Sequence, residues 1–125
     1  MDQIKVLLVE DSQELLKALK EYFLRSHGFP VVGSAESGVS AIQKVRELKP
    51  DLVFMDISMP GMNGLEATRE IKRLSNPPRV IMLTTHDDPE YKRASAAAGA
   101  DGFISKTDLT KEAPLAIKRL FGVKL

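Results

Sequence analysis

Residues 51–64 read DLVFMDISMPGMNG. Four apolar residues, Leu52 to Met55, look like the middle of a sheet strand. The run then stops on a carboxylate, Asp56, and the backbone is broken by Pro60, Gly61 and Gly64. A strand that is apolar throughout has both faces covered by helices, as in a parallel sheet. A carboxylate at its end is costly to bury unless something pairs with it. What surrounds this strand, and what accompanies Asp56, must be read from the rest of the chain.

Working outward, further strand-like runs begin near Ile4 (IKVLLV), Phe29 (FPVVGSA), Arg79 (RVIML) and Gly102 (GFIS). Each of the five is followed by residues with helical spacing. Leu15, Leu19 and Phe23 recur at intervals of four, with Leu16 beside them. Val39, Ile42, Val45 and Leu48 recur at intervals of three, as do Leu65, Thr68, Ile71 and Leu74. The fourth helical stretch, PEYKRASAAAGA, is alanine-rich and closed by Gly99, which fits a C-terminal cap. The fifth runs roughly from Lys111 to Phe121, with Leu115, Ile117, Leu120 and Phe121 as its apolar positions. Pro114 is expected in its first turn, or else to shift its start.

Five strand–helix units predict an α/β domain with a parallel sheet. Five are too few for an eight-stranded barrel. The expected architecture is a doubly wound, five-stranded sheet of order 2-1-3-4-5 flanked by five helices, with residues 1–125 as a single domain. Its ligand site should lie at the carboxyl ends of the strands.

The composition agrees. The chain has 125 residues, 43% hydrophobic and 28% charged, which suits a soluble globular domain. A net charge of +1 offers no general attraction to nucleic acid or to an anionic membrane. The absence of cysteine excludes disulfides and thiolate-built metal or redox sites. No signal peptide is evident in MDQIKVLLVED, and no run approaches the ~20 apolar residues of a membrane helix. A cytoplasmic location is expected. No helix-turn-helix pattern supports direct DNA binding by these residues.

The carboxyl-end rule selects Glu10 and Asp11 after the first strand, Asp56 after the third, Thr84 at the fourth and Lys106 after the fifth. With strands one and three adjacent, three carboxylates meet in one crevice. Two carboxylates about 4 Å apart repel by roughly 4 kcal/mol at an effective dielectric near 20. Lys106 alone does not neutralise three, whereas a hard divalent cation does, and an all-oxygen site suits Mg²⁺. A partly filled Mg²⁺ shell beside an ammonium and a hydroxyl suits a phosphoryl group, with Asp56 as its acceptor.

At these residues the sequence resembles the receiver domain of two-component response regulators over essentially the whole chain. The matching elements are the acidic pair Glu10-Asp11, MDISMPGMNG around Asp56, MLTT with Thr84, and GADGFISK ending in Lys106. The resemblance implies that Asp56 accepts a phosphoryl group from a sensor histidine kinase or a phosphotransfer protein. Asp11, Asp56 and the main-chain carbonyl of Ser58 would hold Mg²⁺, with Glu10 acting through water. Thr84 and Lys106 would bind the phosphoryl oxygens, and Phe103 would change rotamer with Thr84. The surface of helix four, strand five and helix five would then alter its grip on an output domain, a partner or a second copy. Ser58 and His86, each two residues beyond a site residue, would flank the path of attacking water and set the phosphoryl lifetime. DISMPGMNGLEATREIK is typical of the subfamily whose full-length members carry a helix-turn-helix domain. Thr107 stands where many receivers have a proline, and no output domain follows Leu125, so a stand-alone receiver and a fragment both fit.

Simpler roles compete for single residues. Asp11 could cap the first helix with Glu14 completing the box. Phe103 could be a packing residue, His27 a surface residue, and Gly61 and Gly64 turn and helix-entry residues. Rival functions are an aspartate-nucleophile phosphohydrolase, a pseudo-receiver interaction module and a flavodoxin-like carrier. The first lacks the second acid of D-x-D, since Ser58 stands there. The second usually lacks one of the residues retained here, and VEDSQE is too acidic to cradle a flavin phosphate.

Overall fold

The computed structural model describes residues 3–26, 28–59, 61–85 and 89–122. Elements alternate along the chain as β1 (Val6–Val9), α1 (Gln13–Leu24), β2 (Val31–Ala35), α2 (Gly38–Leu48), β3 (Leu52–Asp56), α3 (Gly64–Ile71), β4 (Arg79–Thr84), α4 (Pro89–Ala97), β5 (Gly102–Ser105) and α5 (Leu109–Phe121). A short 3₁₀ turn, Lys106–Asp108, joins β5 to α5. The strands form one parallel sheet of order β2-β1-β3-β4-β5. That is the doubly wound order expected from the sequence.

Successive strand residues point to opposite faces. Val6, Leu8, Phe54, Ile81, Leu83 and Ile104 meet Leu16, Leu19 and Phe23 of α1 and Ala113, Ala116 and Ile117 of α5. Leu7, Val9, Val53, Met55, Val80 and Met82 meet Ala41 and Val45 of α2 and Ala67 and Ile71 of α3. Burying each such Leu, Val or Ile is worth roughly 1.5–3 kcal/mol, so both faces of the central strands drive assembly.

Several boundaries differ from the sequence reading. Ile4 and Phe29 are buried but precede their strands; there the Ile4 amide donates to the Gly28 carbonyl at 2.8 Å, leading β1 in beside β2. In α2, Val39 is 62% exposed and Ala41 takes the core position instead. Val45 is buried and Ile42 and Leu48 pack beside it, so the three-residue spacing marks the core face except at Val39. Pro114 is neither in the first turn of α5 nor at its start. The helix begins at Leu109, because Leu109, Ala113, Ala116 and Ile117 form its buried stripe, and Pro114 is its sixth residue. Leu115 is correspondingly 57% exposed. Gly99, with φ +99°, closes the α4 segment as expected.

Candidate functional site

Glu10, Asp11, Asp56, Thr84 and Lys106 all leave the sheet at its carboxyl edge. Glu10 follows β1 and is fully buried; Asp56 ends β3 with 1% exposure; Asp11 beside Glu10 is exposed. Each of the three carboxylates offers an oxygen, and these oxygens lie within 4.8 Å of one another.

Lys106 reaches into this group from the 3₁₀ turn. Its Nζ is 3.0 Å from Asp56 Oδ1 and 3.1 Å from Glu10 Oε1, and it donates to Glu10 Oε2 at 3.3 Å. The Ser105 and Thr107 hydroxyls hydrogen-bond at 2.9 Å across Lys106, tying its turn to β5. Thr107 thus has a local role at the position where a proline is common, and none of the described peptide bonds is cis.

Backbone amides complete the frame. The Ser12 amide donates to Glu10 Oε2 at 3.1 Å and the Ser58 amide to Asp56 Oδ1 at 3.2 Å. Two buried oxygens accept no hydrogen bond: Glu10 Oε1, which faces the Lys106 ammonium at 3.1 Å, and Asp56 Oδ2. A buried acceptor left in that state is costly unless a ligand uses it.

The cap of α1 settles the competing role of Asp11. Ser12 is the N-cap and its Oγ accepts from the Leu15 amide at 3.3 Å, so Asp11 is not needed there. Sequence reasoning overlooked Ser12, although serine directly before a helix is itself a capping signal. Gly64 was expected to serve helix entry. A Cβ there would lie 2.1 Å from the Asp56 carbonyl oxygen, and its amide donates to the Ile57 carbonyl at 2.9 Å. The start of α3 therefore presses against the backbone of Asp56, which only glycine permits. Gly61, with φ +75°, supplies the left-handed turn between them.

The charges are unbalanced. Burial pushes the Asp56 carboxyl up to about 7, and the Glu10 charge adds to the rise. The hydrogen bond and charge of Lys106 oppose it, while Asp11 adds a smaller upward push. Burial would lower the Lys106 pKa, but its hydrogen bonds to Asp56 and Glu10 prevail and raise it. Lys106 is thus a firm cation among more negative charge than it can neutralise. Three carboxylates whose oxygens lie within 4.8 Å of one another, with more negative charge than Lys106 balances, fit a hard divalent cation such as Mg²⁺.

Thr84 ends β4, buried, in register with Ser105; it lies one residue beyond Leu83, which pairs with Asp56. Phe103 lies on β5 in register with Met82 and packs half-buried against the α2–α3 layer. It is a packing residue, as the simpler reading held. Ser58 is exposed beside the site. His86, named as a lifetime residue, and His27 lie outside the described residues.

The response regulator receiver domain family matches residues 6–116. The response regulator GacA of Pseudomonas syringae pv. syringae is 37% identical over 118 residues, 94% of this chain and 55% of GacA. The chain spans about half the length of such relatives. The response regulator domain of Thermotoga maritima CheB superposes with a TM-score of 0.87 at 31% identity, covering 98% of this chain and 99% of that one. A CheX–CheY–BeF₃–Mg²⁺ complex from Borrelia burgdorferi matches with a TM-score of 0.82 at 28% identity, covering 97% and 90%. This chain belongs to the response regulator receiver domains. It is a two-component signalling switch rather than an enzyme.

Proposed function

We propose that Asp56 is the phosphoacceptor of this receiver and that phosphorylation requires Mg²⁺. The observation that carries this is the state of Asp56: Oδ1 is held by Lys106 and the Ser58 amide, while Oδ2 is buried without a hydrogen bond. Oδ2 forms the new O–P bond as the N–P bond of a donor phosphohistidine breaks, and the leaving imidazole nitrogen takes a proton. Asp11, Asp56 and the Ser58 carbonyl would hold Mg²⁺, with Glu10 acting through water, and the ion would supply charge neutralisation for the transferring oxygens. Lys106 holds a phosphoryl oxygen with a charge-assisted bond, and Thr84 offers a hydroxyl to another. The Borrelia CheY complex with BeF₃ and Mg²⁺ supports both parts.

The donor is a sensor kinase or phosphotransfer protein. The readout is the α4–β5–α5 face, to which Thr84 and Phe103 pass the change, acting on an output domain, a partner or a second copy. Residues 1–125 act as one receiver domain, in the cytoplasm. Ser58 and His86 set the phosphoryl lifetime, and unchanged decay after both are replaced by acid or amide groups would remove that role. The central test is intact mass after incubation with acetyl phosphate and Mg²⁺. One phosphoryl group is expected, lost without Mg²⁺ and in Asp56→Ala. Binding of Mg²⁺ without any adduct, with beryllofluoride also inert, would leave an interaction module.

A further inference from the structure

The loop between β3 and α3 is held by two contacts where it enters α3. Gly64 abuts the Asp56 carbonyl, and Met62, two residues earlier, meets α2. Gly38, the first residue of α2, is buried, and a Cβ there would lie 2.7 Å from the Met62 carbonyl oxygen and 2.9 Å from Met62 Cγ. The carbonyl belongs to backbone and cannot swing aside as a side-chain tip can. Val39 beside it is exposed and anchors nothing. The start of α2 is fixed by the Ser37 cap, whose Oγ accepts from the Ser40 amide at 3.1 Å. Downstream, Asn63 accepts from the Glu66 amide at 2.9 Å as the N-cap of α3, so Met62 adjoins a fixed helix start.

We propose that Gly38 is a positioning residue for the Asp56 site: its missing side chain lets the β3–α3 loop seat against α2, and this seat sets where Ser58 stands relative to Asp56. A Cβ at residue 38 would push Met62 away from α2. The loop cannot absorb this at Gly64, which is already packed against Asp56. The displacement reaches the Ser58 amide, which holds Asp56 Oδ1, through the Gly64 amide's 2.9 Å bond to the Ile57 carbonyl of the same peptide unit. The role rests on the Mg²⁺ and phosphoryl reading above, but its first readout does not.

Helix propensity makes the test sharp, because alanine is a better helix residue than glycine. If Gly38 only fills a helix position, Gly38→Ala leaves the site unchanged and stabilises the fold. If it positions the loop, Gly38→Ala shifts the Ser58 amide resonance and speeds its hydrogen exchange in metal-free protein. Mg²⁺ affinity by calorimetric titration then falls by about tenfold, the usual scale for losing an outer-shell support. Gly33→Ala, on β2 away from the site, is the control: its Cβ would meet two side-chain tips and no backbone, Leu48 Cδ1 at 2.7 Å and Leu7 Cδ1 at 3.6 Å. It should leave the Ser58 amide and Mg²⁺ binding as in the parent. If Gly38→Ala does not fold, Met62→Ala, which removes the side-chain part of the seat without adding an atom, must loosen the same amide. A parent-like Ser58 amide in the folded Gly38→Ala protein overturns the proposal, as does one in Met62→Ala. Failure of the parent to take up phosphate, with the amide shift intact, would overturn the phosphoryl reading and leave the positioning role standing.

Discussion

Asp56 sits where burial and the Glu10 charge oppose Lys106, and its carboxyl lies near 7 rather than at its ordinary 3.8. A folded-state value above the unfolded one means the native state holds this proton more tightly. That stability is fully present below the unfolded value near 3.8 and is lost as pH rises through about 7. In urea unfolding without divalent metal, the parent should therefore weaken between pH 5 and pH 8, and Asp56→Asn should not. At pH 8 the variant is expected to be the more stable by about 2 kcal/mol. Parallel pH profiles would mean that Asp56 ionises normally. Gly64→Ala tests the neighbouring constraint: with 2.1 Å between Cβ and the Asp56 carbonyl oxygen, it should cost about 3 kcal/mol and distort the site. A loss under 1 kcal/mol would show that the start of α3 can back away. The acidic cluster was legible in the residue types at the strand ends. The Gly64 contact was not, because a glycine required by close approach looks like any turn glycine.

The helices show how far periodicity reaches. Their existence and number follow from apolar spacing, but the buried face of α2 belongs to Ala41 and Val45 rather than Val39. Small residues pack where helix and sheet come close, and hydropathy spacing underrates them. The α5 segment makes the same point through Pro114, which removes an amide that would bond to the Thr110 carbonyl four residues earlier. Pro114→Ala should restore that bond and stabilise the protein by about 1 kcal/mol or more, measured by denaturant midpoint. No gain would mean that the ring already relieves a cost in the unfolded chain. In α4, Ser95 is the buried residue, and its Oγ donates to the Tyr91 carbonyl at 2.8 Å. So little apolar burial suits an element that opens readily, and its amides should exchange faster than those of β3 and β4. Equal protection would contradict that.

At the scale of the molecule, the sheet order brings β1 and β3 side by side and so assembles the carboxylates from distant segments. Any ion that binds only this assembled site must stabilise the fold. At pH 8, Mg²⁺ at 100 times its dissociation constant should add about 2.7 kcal/mol to unfolding free energy, and Asp11→Ala should remove most of the gain. A midpoint insensitive to Mg²⁺ would argue against the metal site. Far from this edge, Asp101 accepts from Lys72 Nζ at 2.9 Å and from the Val80 amide at 2.8 Å, joining α3, β4 and the approach to β5. That network holds the amino ends of the strands, leaving the carboxyl ends to carry the chemistry.

The sequence by itself determined the alternation of strands and helices, the parallel sheet and the residue types at its carboxyl edge. These are local properties: apolar periodicity reports which faces are buried, and a charge ending an apolar run marks a strand end. Tertiary structure alone decided that Lys106 bridges Glu10 and Asp56 and that Asp56 Oδ2 is left unbonded. Those outcomes depend on distances between residues far apart in the chain, where a few tenths of an ångström separate a hydrogen bond from a contact without one.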